Sequence, residues 1–207
     1  MGARIIGGKP PSCTYQGTGI GNGTVTTYPF PAFPIGTAGS RRYVIVCVMA
    51  NGATVTGVKI NSVSATQLSG SVFNPTFYGM LVTTGTTANI DVTVATATAT
   101  NMSMTVWSVY DIMSLTPVAT STSTASPAVL DLNTRTRGVV MALAHPGMTA
   151  GVTFTWTGVT SDYTQTSATN NVPRNGAHAL VAAGSPLTVR CAYSSTSSPR
   201  AAAISMR

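Results

Sequence analysis

Glutamate is missing from this sequence altogether, and its four acids are all aspartates: Asp91, Asp111, Asp131 and Asp162. Only 7% of the 207 residues are charged, against roughly 25% in an average soluble domain. Leucine, lysine and glutamine are scarce too, so the residues that build helix faces are not available in quantity. A helical bundle is excluded on that ground. Three cysteines, Cys13, Cys47 and Cys191, cannot all pair within one chain and lack metal-ligand spacing. Cys47 lies in YVIVCVMA and Cys191 in LTVRCAY. Both runs read as strands, so buried free thiols in a reducing cytoplasm are expected.

Reactive constellations are equally scarce. There are two histidines, His145 ahead of a proline at the mouth of a loop and His178 among strand-like alanines. No G-x-S-x-G elbow, H-x-x-x-H pair or calcium loop is present. Four scattered aspartates give poor support for the paired carboxylates of a glycosidase. GTGIGNGT carries alternate glycines, unlike a dinucleotide fingerprint, and no helix pattern follows it. No catalytic, cofactor-binding or metal-ligating residue is therefore expected, and no enzymatic activity. MGARIIGGKPP lacks the apolar run of a signal peptide, and no segment is long enough to cross a membrane. The net charge of +7 rests mostly on scattered arginines, which form no tract or motif for nucleic acid.

What is abundant is threonine, about one residue in six, a strand former that covers a polar face without charge. DVTVATATATNMSMTVW alternates over its whole length; it reads as a hairpin with its tip near Ala97–Asn101, Val92 and Val94 sharing parity with Met102, Met104 and Val106. YVIVCVMA is apolar on both faces, as a central strand should be. Asn51-Gly52 then joins it to ATVTGVKI, which predicts a second hairpin. In GVTFTWTGV, Val152, Phe154 and Trp156 face inward and the threonines outward. TGVK at 56–59 echoes TGVT at 157–160, too briefly to define a repeat. These patterns predict an all-β fold, a jelly-roll-like or Ig-like antiparallel β-sandwich with an extended Gly/Pro-rich N-terminal segment. Residues 1–40 are expected to form an extended arm or the first edge strands. Residues 41–207 are expected to form a single sandwich, with a surface connection near 116–127.

Within 1–40, Tyr28, Phe30 and Phe33 alternate with prolines. They either cap the core of their own subunit or lie on a neighbour. Arg41 and Arg42 precede the central strand. RRYVIVCVMANGATVTGVKINSVSATQL, GTTANIDVTV and TFTWTGVT resemble β-sandwich virion structural proteins of tailed bacteriophages, particularly phages of alphaproteobacteria. The resemblance implies a place on the virion after folding in the host cytoplasm, and brings no catalytic residues with it. The expected function is a capsid decoration (cement) protein, oligomeric and bound to the major capsid protein or other virion proteins. Tyr28, Phe30, Phe33, Arg41 and Arg42 are its candidate partner-binding residues. A tail fibre, spike or baseplate component touching host glycans is the alternative, and a carbohydrate-binding module is a further rival.

Overall fold

The computed structural model describes residues 9–70, 75–99, 102–147, 152–166, 173–181, 187–193 and 199–207. The described residues hold strands and no helix. In chain order the strands are β1 (Ser12–Gly21), β2 (Thr24–Pro34), β3 (Arg42–Ala50), β4 (Val55–Ile60), β5 (Val63–Ser64), β6 (Thr66–Ser69), β7 (Thr76–Leu81), β8 (Thr87–Ala99) and β9 (Met102–Tyr110). They continue as β10 (Ala119–Ser123), β11 (Ala128–Leu132), β12 (Gly138–His145), β13 (Phe154–Thr157), β14 (Thr160–Thr166), β15 (Pro173–Val181), β16 (Leu187–Tyr193) and β17 (Arg200–Met206).

The expected all-β antiparallel sandwich is what the chain forms, and it forms it twice. In the first half, an inner sheet β1-β9-β3-β7-β6 faces an outer sheet β2-β8-β4-β5. In the second, an inner sheet β10-β17-β12-β15-β14 faces an outer sheet β11-β16-β13. The winding is the same in both: β1, β9, β3 and β7 hold the places that β10, β17, β12 and β15 hold, and β2, β8 and β4 those of β11, β16 and β13. This alternation between two sheets is the jelly-roll path, so the chain is a tandem pair of jelly rolls. The TGVK/TGVT echo falls at corresponding places, within β4 and at the end of β13.

Three cores separate four layers. Tyr28, Val46, Ile60, Ile90 and Met104 fill the first sandwich, and Leu130, Leu132, Val140, Ala142 and Val189 the second. Between the halves, the two inner sheets press together through Ile45, Phe77, Trp107, Met141, Leu143 and Ile204. Burying each large side chain of this seam contributes about 1.5–3 kcal/mol. β3, β9, β12 and β17 are consequently buried on both faces along nearly their whole length.

Residues 1–40 hold β1 and β2, edge strands that pair with β9 and β8, one in each sheet of the first sandwich. Other expectations are corrected. Residues 41–207 span two sandwiches, and the stretch 116–127 contains β10. Neither expected hairpin forms. β3 and β4 lie in different sheets, as do β8 and β9. Val92, Val94, Met102, Met104 and Val106 do share one core, but they reach it from opposite walls. The tip residues 100 and 101 lie outside the described residues.

Polar groups cross the seam at fixed points. The Trp107 Nε1–H donates to Asp162 Oδ2 at 2.7 Å, and the other oxygen of that carboxylate meets His178 Nδ1 at 2.6 Å. Thr105 and Tyr163 share a hydrogen bond between hydroxyls, and the Tyr163 ring stacks on Tyr15 with centroids 5.0 Å apart. The connector after β9 is sewn to β17, with the Met113 N–H donating to the Arg207 carbonyl at 2.7 Å and Val118 N–H to that of Ser205 at 2.7 Å.

Gly176 makes this fit possible. A Cβ there would stand 2.4 Å from the Tyr163 ring and 3.1 Å from that of Trp107. Gly176→Ala is therefore expected to destabilise the protein by about 1–3 kcal/mol through overpacking, read as a lower urea midpoint with an unchanged slope.

Candidate interaction surface

The first half closes its open side with rings laid on glycines. β1 is the edge of one sheet and β2 the edge of the other. Three rings of β2 lie on three glycines of β1. A Cβ on Gly21 would come within 2.6 Å of Tyr28, one on Gly19 within 2.5 Å of Phe30, and one on Gly17 within 3.3 Å of Phe33. The alternate glycines of GTGIGNGT and the rings of YPFPAF are two halves of one contact. Tyr28 and Phe30 share the glycines' period of two, which was the signal available in the sequence, and a register shift between Phe30 and Phe33 brings the third ring onto Gly17. Tyr28 is 2% exposed and its hydroxyl donates to the Gly23 carbonyl at 2.9 Å. Phe30 and Phe33 are half-buried and meet edge to face at 6.4 Å. The aromatics thus cap the core of their own chain.

Outside this strap lies an open groove of about 480 Å³ lined by Ile20, Val25, Tyr28, Pro29, Phe30 and Phe33 among others. Val25 is 42% exposed, and Pro29, Pro31 and Pro34 are exposed beside it.

The two arginines part company. Arg42 was expected at a partner surface, but it is 0% exposed. Its Nε donates to the Val82 carbonyl (2.8 Å), its Nη1 to those of Gly36 (2.7 Å) and Gly85 (2.8 Å), and its Nη2 to that of Thr84 (2.6 Å). The guanidinium gathers the β2–β3 and β7–β8 connections into one knot, because carbonyls turned inward at loops need donors. Arg41 is exposed; its Nη2 donates to the Ile112 carbonyl at 2.6 Å, and it lines a polar cleft of about 670 Å³ with Lys9, Gln16, Tyr110 and Asp111. Of the five candidate residues, Phe30, Phe33 and Arg41 reach the surface, while Tyr28 and Arg42 are structural. Arg42→Met is expected to cost at least about 3 kcal/mol, since several buried acceptors lose their donor, whereas Arg41→Ala stays within about 1 kcal/mol; chemical unfolding separates the two.

Burial governs the titratable groups. It pushes the Cys13 and Cys47 thiols well up, with the Asp162 charge adding to the effect on Cys13, and holds Cys191 at about 12. All three cysteines are free and stay protonated at neutral pH. His145 closes β12 and is 2% exposed. Burial, followed by the charges of Arg174 and Arg200, lowers its pKa from 6.5 to about 3. Burial also brings Arg174 down to about 10.

An unfolded histidine takes up its proton near pH 6.5, while the folded chain keeps His145 neutral to about pH 3. Between those limits the unfolded state binds more protons, so stability falls as pH drops, by up to about 1.4 kcal/mol per pH unit from this one group. The loss of stability between pH 7 and pH 5 in urea titrations is expected to shrink in His145→Leu.

No protein-family model matches the chain, and no curated protein matches it. Among solved structures, an anti-sigma factor domain-containing protein is similar at 8% identity and a TM-score of 0.27, over 95% of this chain and 82% of that chain. A likeness at that level carries no argument about fold or function.

Proposed function

We propose that the protein is a structural component of a tailed-phage virion, a decoration (cement) subunit that holds to the head exterior by burying surface. The observation that carries this reading is the strap and groove at β1 and β2. It is an uncharged, aromatic and proline-lined surface, and its rings are locked on glycines. Binding there immobilises few side chains, which removes much of the usual entropic cost of association. The sequence resemblance to phage virion β-sandwich proteins supports the same reading.

The mode of contact follows from the prolines. Pro29, Pro31 and Pro34 have no N–H, so the free edge of β2 is a poor template for another chain's strand. Docking at this edge is by side-chain burial. A standard interface hides roughly 800 Å² per partner, more than the groove alone offers, so the surrounding threonine-rich surface takes part. Removing residues 1–34 is no clean test, because it deletes β1 and β2 and opens the first core. Val25→Asp combined with Phe33→Ser alters the surface and keeps both strands. On purified particles the double variant is expected to lose occupancy at least tenfold while keeping a native circular dichroism spectrum. Wild-type stoichiometry should be in the hundreds per particle. Full retention of the variant would overturn the surface, and a handful of copies would move the protein to the tail.

A further inference from the structure

Arg200, His145 and Arg174 stand in a row across three neighbouring strands. Register pairs His145 with Arg200 between β12 and β17, and Ala144 with Asn175 between β12 and β15, which sets Arg174 at the level of His145. All three share the parity of Leu143, Ala202 and Gly176, so they lie on the face of the inner sheet turned towards the first half. Arg174 is 1% exposed and His145 2%; Arg200 is half-buried.

The state of His145 is fixed by its neighbour. Its Nδ1 accepts the Gly147 N–H at 2.9 Å. The ring is neutral, so its one proton sits on Nε2, which is then a donor. That Nε2–H is buried and has no hydrogen-bond partner among the described residues. The groups beside it are guanidiniums, which also only donate. The acceptor lacking among the described residues is defined at His145, whatever else the two arginines bind.

The chain has no carboxylate to put there. Asp162 is taken by Trp107 and His178, Asp131 by Thr188, Asp91 lies opposite Lys59 in an outer sheet, and Asp111 follows β9 beside the polar cleft. On the opposing sheet, β9 runs from Trp107, which meets Asp162, through Thr105, which meets Tyr163, and so towards this end of the seam. Ser103 comes next on that face, and its hydroxyl is also buried without a partner among the described residues.

We propose that this end of the seam binds a small oxyanion, phosphate or sulfate in type, which accepts from His145 Nε2–H and is neutralised by Arg174 and Arg200. Burial of His145 and Arg174 favours a small ion over an acidic side chain on a partner's surface. The site is independent of the virion reading.

The test uses the full chain and inorganic phosphate at constant ionic strength, with chloride as the control. Calorimetry is expected to show saturable one-to-one binding, and the melting midpoint should rise with phosphate concentration by linkage. Arg200→Gln, at a half-buried position, should weaken binding at least tenfold, and His145→Leu likewise. Arg190→Gln, which removes an exposed arginine on β16, should bind as wild type. Absence of saturation above the chloride control overturns the site. So does equal loss in Arg190→Gln and Arg200→Gln, which would mark a diffuse charge effect. Should His145→Leu fail to fold, Arg200→Gln and the phosphorus resonance of wild-type protein still decide.

Discussion

The central strands of two sheets in this protein have no side facing water, and most of its peculiarities follow from that. A strand covered on one face alternates polar with apolar; a strand covered on both has nowhere to put a charge. Along their interiors β3, β9, β12 and β17 obey this rule, with Arg42 and Arg200 at strand ends, and it accounts for much of the low charge content. Several of the polar side chains there are tied down. The Ser108 hydroxyl donates to the Ile35 carbonyl, Ser205 to the Asn133 carbonyl at 3.1 Å, and Thr105 pairs with Tyr163. Alanines 201–203 on β17 serve both sides at once, filling the second core and the seam without overcrowding either.

The strands and their faces were legible in the sequence, because a period of two reports which side chains share a side. Partners were not legible. Val92 and Met104 share parity whether their strands pair in a hairpin or oppose one another across a core, and local alternation is silent on the difference. The same limit hid the second jelly roll, since a repeated path leaves no repeated letters beyond TGVK and TGVT. Among the candidate residues, parity held more than was drawn from it. Arg42 falls in step with Val44, Val46 and Val48 of the first core, and its neighbour Arg41 falls out of step. Phe30 and Phe33 do reach the surface. The Arg200–His145–Arg174 row was beyond reach, because only strand register brings those three residues together.

Arg42 and the ring-on-glycine strap solve one problem by different means. A jelly roll must cross repeatedly between sheets, and each crossing leaves backbone groups without ladder partners. At the β2–β3 and β7–β8 connections a single guanidinium collects four carbonyls. Between β1 and β2, where two edges merely approach, flat rings against bare backbone fill the space that a ladder would occupy. Arg42 lies level with Ser12 and Tyr110, at the polar-cleft end of the strands, and the strap stiffens the edge that carries the groove, which suits a surface whose proposed role is to dock without rearranging.

The twofold winding has a consequence for how the molecule can be mounted. A homodimer of jelly rolls joined through their inner sheets would show the same chemistry at both extremities. Here the halves differ: β1 and β2 carry glycines and rings, while β10 and β11 (ATSTS and AVLDL) carry neither. The slab therefore has a head and a foot, and any lattice that grips the foot will array every copy with the same end pointing away.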